Sequence, residues 1–214
     1  MFFKKKESCC SPKEDRKTSY ERKSKETEIM IPALNVDGKG ESKIKTPIGF
    51  LDHMLTLFAY HGFFDITLNA KGDTHVDNHH LNEDLGLALG EAFKKALGDF
   101  KGIVRTAHAV VPMDEAGAKV AIDLSNRAAY RFIFNGIDKD KIKDDEGYSL
   151  HYAEDFLQSF ANKLCINLHI EVYGKGDLHH YIEAVFKALG IALDKATCID
   201  PRRIGEVPSS KGIL

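Results

Sequence analysis

Apolar positions along the chain change their spacing in a repeating order, from the alternation of a strand to the period of a helix and back. "TEIMIPALNV" (27–36) reads as a strand, and "KIKT" (43–46) adds a short one. "PIGFLDHMLTLFAYHG" (47–62) carries Ile48, Leu51, Leu55 and Phe58 at helical spacing, with Pro47 near the start and Gly62 at the end. "DITLNA" (65–70) is strand-like again, and a second helix is expected from about Asn82 to Leu97, before Gly98. The order then recurs. Strands are expected at "HAVVPM", "AKVAIDL" and "YRFIF", followed by a helix near 150–163, the strand "INLHIEVY", and a helix from about His179 to Lys195.

The recurrence holds residue by residue. A shift of 102 lays "LDHMLTLFAYHGFFDITLNAKG" (51–72) over "AEDFLQSFANKLCINLHIEVYG" (153–174) without a gap, so that Leu55 meets Leu157, Phe58 meets Phe160 and Gly72 meets Gly174. Two residues shed from the next loop bring His79 and His80 over His179 and His180 at a shift of 100. A repeat of this length marks a duplicated structural unit. The expected fold is α+β: two duplicated α/β-sandwich halves, each a small, mostly antiparallel sheet with helices packed on one face. The halves span 22–101 and 102–214, with the boundary near "GDFKGI", and residues 1–21 form a mobile charged tail. Cys9 and Cys10 in that tail read as an exposed pair.

Composition narrows the class without naming the chemistry. The 214 residues are enough to bury a substantial core, and 43% apolar with 29% charged residues is ordinary for a soluble globular protein. A net charge of −2 gives no bias toward nucleic acid or anionic lipid, and no apolar run is long enough to span a bilayer. Four cysteines without zinc-type or disulfide spacing point to the cytoplasm.

The chemistry lies in two copies of one device, "HHLNE" (79–83) and "HHYIE" (179–183). Successive helical residues point about 100° apart, so His79 and His80 cannot easily chelate one ion together, whereas His79 and Glu83 share a face. Two metal sites satisfy this geometry, each taking a histidine–glutamate pair from one half and the adjacent histidine from the other. One set is then His79, Glu83 and His180, and the other His179, Glu183 and His80; the opposite exchange of histidines fits equally. The 102 shift supplies a fourth ligand to each by laying His53 over Asp155. His151 is the alternative to Asp155. Imidazole plus carboxylate without thiolate favours Mn, Fe, Co, Ni or Zn. A lone histidine on a helix is usually structural; two clusters in aligned repeats are not lone.

These residues resemble the imidazoleglycerol-phosphate dehydratase family. The resemblance rests on "GFLDHML", "GDTHVDNHHLNEDLGLALG", "GIVR", "VPMDEA", "DLSNR", "LHHYIEAVFKALGIAL" and "PSSKG", and runs from about residue 22 to 212. It implies dehydration of D-erythro-imidazoleglycerol phosphate to imidazole acetol phosphate in histidine biosynthesis, by a monofunctional enzyme. Two Mn(II) ions per active site and a 24-subunit homo-oligomer with sites between subunits are implied with it, as is a phosphate cradle of Arg105, Arg127, Ser209, Ser210 and Lys211. Glu26 and His53 would touch substrate, and Glu26 and Glu183 are both candidates for the general base. Asp114 and Glu115 match the family too, ordering either the site or an interface. Asp155 stands where many members have histidine, and Asn126 replaces a glycine, being among the side chains that best tolerate a positive φ.

Two rival classes weigh less. A metal protein with purely structural ions needs no phosphate cradle, and a two-metal hydrolase leaves "PSSKG" unexplained.

Overall fold

The computed structural model describes residues 16–145 and 147–214. The first half runs β1 (Lys17–Lys23), β2 (Thr27–Asn35), β3 (Ser42–Lys45), α1 (Gly49–His61), β4 (Asp65–Gly72) and α2 (His79–Leu97). The second repeats it as β5 (Thr106–Met113), β6 (Ala116–Asp123), β7 (Ala129–Phe134), α3 (Leu150–Leu164), β8 (Asn167–Gly174) and α4 (Leu178–Thr197), with a 3-10 turn at Lys139–Lys141. Each half forms a four-stranded sheet of the same order, β1-β2-β4-β3 and β5-β6-β8-β7. In both, the last pair is parallel, because α1 or α3 must carry the chain across between its strands. The duplicated α+β fold is therefore as expected.

Alternation decides which face of each sheet is covered. Ile29, Ile31 and Leu34 of β2 and Leu168, Ile170 and Val172 of β8 are buried, and the helices lie against them. Sheet one carries α1 and α2, sheet two carries α3 and α4, and the two helical layers pack on each other, α2 against α3 and α1 against α4. The repeat-equivalent Phe58 and Phe160 meet at this contact, with ring centroids 6.1 Å apart, and Phe93 lies 5.8 Å from both. Truncating a buried phenylalanine here costs about 3–5 kcal/mol. Two equivalent glycines let the helices approach. A Cβ on Gly90 would lie 2.8 Å from the Phe160 carbonyl oxygen, and one on Gly190 would lie 2.5 Å from that of Phe58.

Two expectations need correction. Residues 17–21, read as tail, are part of β1, which pairs antiparallel with β2. The charged residues that disguised it, Lys17, Glu21, Arg22 and Lys23, suit an edge strand, where charge discourages pairing with other chains, and Lys95 of α2 lies 4.6 Å from the Tyr20 ring. Cys9, Cys10 and the rest of the tail up to residue 15 lie outside the described residues. The second helix begins at His79, not near Asn82; Asp77, just ahead of it, accepts from the His79 amide at 3.0 Å. Asp177 is the N-cap of α4 and accepts from the His180 amide at 2.9 Å, and both histidine pairs sit on the first turn of a helix.

Candidate functional site

The two HHxxE segments open α2 and α4, and in each the first histidine turns toward its glutamate. His79 Nε2 lies 3.2 Å from Glu83 Oε2, and His179 Nε2 lies 3.2 Å from Glu183 Oε2. In the second half His53, from α1, joins them, its Nε2 3.6 Å from Glu183 Oε2. His53, His179 and Glu183 each place one donor atom within 4.8 Å of the others. Asp145 accepts from the opposite ring nitrogen of His179 at 3.0 Å and fixes the ring.

The first half is arranged differently. His79 Nδ1 donates to Asp155 at 2.7 Å, and His151 Nε2 lies 3.2 Å from the same carboxylate oxygen. The ring of His79 thus stands between Glu83 on one edge and Asp155 with His151 on the other. Asp155 does reach the cluster, as the repeat required, but it meets His79 on the edge away from Glu83. Its hydrogen bond raises the His79 pKa above the ordinary imidazole value, against the opposing effect of burial.

The adjacent histidines point elsewhere and join neither cluster within the chain. His80 Nδ1 lies 3.1 Å from Asp73 and 4.0 Å from Glu26, in the turn between β1 and β2. His180 Nδ1 donates to Glu115 at 2.9 Å, in the equivalent turn between β5 and β6, with Asp114 3.8 Å from Nε2. Bonds to Asp73 and Glu115 raise both imidazole pKa values, and the bond to His180 lowers that of Glu115. Glu26 and Glu115 occupy equivalent places: the Asp73 amide donates to the Glu26 carbonyl and the Lys175 amide to that of Glu115, at 3.2 and 3.1 Å.

Lys187, one turn after Glu183, bonds its carboxylate at 2.5 Å from a largely buried position. Burial pushes the Glu183 pKa up, but the ammonium and His53 outweigh it, and the net shift is downward. The i+4 spacing was the available signal for Lys187, whereas Glu115 was already marked by "VPMDEA". Asp73 and Asp145 lie in loops and offered none.

The expected phosphate-binding residues gather at the other end of the helices. Arg105 holds Asp123 through Nε at 2.7 Å and Nη2 at 3.1 Å, while Nη1 donates to the Pro208 carbonyl at 2.8 Å. That contact ties down the segment bearing Ser209, Ser210 and Lys211. Asn126 has φ 55°, as its residue type anticipated, and its amide donates to the Leu214 carbonyl at 3.3 Å. Arg127 and Lys211 are exposed. The Arg105 amide bonds the carbonyl of Ala196, near the end of α4. Ala196 lies thirteen helical steps after Glu183, about 20 Å at 1.5 Å each.

These features define a class: a duplicated two-sheet sandwich that gathers imidazoles and carboxylates, without thiolate, in donor sets suited to divalent first-row cations. The sequence model of the imidazoleglycerol-phosphate dehydratase family matches residues 46–193. Imidazoleglycerol-phosphate dehydratase of Pelobacter propionicus is 48% identical over 93% of this chain and 99% of its own length, and that of a Roseiflexus species is 49% identical over 95% and 100%. Among solved structures, IGPD from Pyrococcus furiosus superposes with a TM-score of 0.75 at 35% identity, covering 91% of this chain and 99% of that one. Imidazoleglycerol-phosphate dehydratase from Staphylococcus aureus gives 0.71 at 32%, covering 85% and 99%. The chain belongs to the imidazoleglycerol-phosphate dehydratase family, whose members are enzymes of histidine biosynthesis. No helix among the described residues is long and apolar enough to cross a membrane.

Proposed function

We propose that the protein dehydrates D-erythro-imidazoleglycerol phosphate to imidazole acetol phosphate with two Mn(II) ions per active site, in the cytoplasm, as a large homo-oligomer of 24 subunits. The observation that carries this reading is the equivalent placement of the two histidine–glutamate pairs, each separated by 3.2 Å at the start of a helix. His53, His179 and Glu183 would hold one ion, and His79 would hold the other with a carboxylate from either edge of its ring, Glu83 at Nε2 or Asp155 at Nδ1. His80 and His180 would each complete a set in a neighbouring copy. Bound there, the metal would act as a Lewis acid that lets the substrate's imidazole ring carry negative charge.

The chain's own groups then have separable tasks. Lys187 and His53 outweigh the effect of burial and favour the ionised Glu183 carboxylate, which suits a ligand more than a base. Glu26, exposed in its turn beside His80, is the better candidate to take the proton from the carbon next to the ring. Arg105, Arg127, Ser209, Ser210 and Lys211 would bind the phosphate, exposed Arg127 through a forked donor and Arg105, whose fork holds Asp123, through its remaining N–H groups. About 20 Å between these groups and Glu183 is too far for one small substrate to bridge within one chain. Sites shared between copies resolve the separation, with the basic end of one chain against the imidazole end of another.

The test is turnover of imidazoleglycerol phosphate by the purified protein, first stripped with chelator and then reloaded with Mn(II). Ketone product that disappears on stripping and returns on reloading supports the reading. No product at metal saturation defeats it.

A further inference from the structure

The two clusters are built from different positions of the repeat. Shifting by 102 lays Asp155 over His53 and His151 over Gly49. At the point where α1 supplies an imidazole to the second cluster, α3 therefore supplies a carboxylate to the first. An imidazole stands one turn earlier on the same face of α3.

We infer that His151 is a metal ligand: His79, His151 and Asp155 form the donor set of the first cation. This rests on the proposed two-metal reading and changes the composition of one of its sites. One donor atom from each of the three residues lies within 4.8 Å of the others, as in His53, His179 and Glu183 and in Asp114, Glu115 and His180. Donors about 2.1 Å from a shared first-row ion lie roughly 3–4 Å from each other, so little closure is needed. The rings of His79 and His151 are parallel within 3°, with centroids 5.6 Å apart, and both present a nitrogen to Asp155 Oδ2.

With His151 included, the two sites offer the same inventory, two imidazoles and one carboxylate, by different routes. The second takes its carboxylate from α4 and its second imidazole from position 53. The first takes its carboxylate from position 155 and its second imidazole from 151. The state of the two glutamates agrees with this exchange. The Glu183 side chain is 10% exposed and clamped by Lys187, while that of Glu83 is 47% exposed and has Leu87 in the position equivalent to Lys187. Glu83 is the less committed carboxylate: it lies 3.2 Å from His79 Nε2, while Asp155 holds the opposite ring nitrogen at 2.7 Å, on the side that faces His151.

Equilibrium dialysis of the intact protein against Mn(II), followed by elemental analysis, tests the assignment. Wild type should bind two equivalents per chain. His151→Ala should weaken one of them by at least about tenfold, since even groups that only orient a ligand are worth that much, and leave the other unchanged. His151 is 64% exposed, so its truncation should leave the metal-free thermal midpoint unmoved. The double variant H151A/D155H, which returns an imidazole to the position equivalent to His53, should restore the weakened equivalent. Two equivalents of unchanged affinity in His151→Ala would reduce the contact to a hydrogen-bond network only and overturn the inference, leaving the dehydratase reading intact. A wild-type protein that takes up no Mn(II) would remove both.

Discussion

Thr27 donates its hydroxyl to Asp84 at 2.5 Å, joining the turn that bears Glu26 to the helix that bears His79 and His80. The same carboxylate accepts from Arg22 Nε at 2.8 Å and from Ser24 at 3.3 Å, so one buried acid on α2 organises both sides of the turn. Asp84→Ala should cost about 2–3 kcal/mol, the scale for losing charge-assisted bonds to buried partners, read as a lower urea midpoint. It should also reduce turnover in the fraction that remains folded, with Mn(II) content unchanged. Wild-type turnover would show that the turn needs no such anchor.

Glu26→Gln separates the base from the ligands. The variant should fold normally and keep its metal, while kcat falls by about 100-fold or more, the usual contribution of a positioned base. Glu183→Gln should instead lower metal content. If both variants lose metal and activity together, the division of roles is wrong.

Asp194 predicts a pH effect away from the site. Burial, with Asp37 as a nearby like charge, raises its carboxyl from 3.8 to about 6, despite relief from Lys195 and Arg16. The folded protein therefore holds this proton more tightly than the unfolded chain. This group's contribution makes stability fall as pH rises from about 4 through about 6, and its effect is constant above that. Asp194→Asn should remove that component of the slope and raise the melting temperature at pH 7. A variant with the wild-type profile would contradict the assignment.

Gly190→Ala should destabilise the helical interface. Its Cβ would meet the Phe58 carbonyl at 2.5 Å and the Gly62 amide at 3.0 Å, both backbone atoms that cannot swing aside. Overpacking of this kind costs about 1–3 kcal/mol, measurable by thermal denaturation. An unchanged melting temperature would mean that α1 and α4 shift apart without loss.

Particular residues show why much of this was legible. Leu55, Phe58, Leu157 and Phe160 obey one period in two copies, and a duplicated pattern is read twice, so the halves and their shared topology followed from spacing. His79 with Glu83, and His179 with Glu183, followed from the same helical period. β1 was hidden because an edge strand can be charged or polar along almost its whole length and still pair through its backbone. Asp145 and Asp73 were hidden because loop residues have no period; only the folded chain brings them to His179 and His80. The sidedness of the His79 ring was also unreadable. Spacing fixes which face a histidine occupies, but not which nitrogen meets which carboxylate.

Crystals grown with Mn(II) and measured at the manganese absorption edge test the central claim most directly. The account predicts one anomalous peak enclosed by His53, His179 and Glu183 and a second against His79 and Asp155, each with a histidine from a neighbouring copy completing its shell. Manganese-saturated crystals without anomalous density at either cluster, from protein that dehydrates its substrate after complete metal removal, would contradict it.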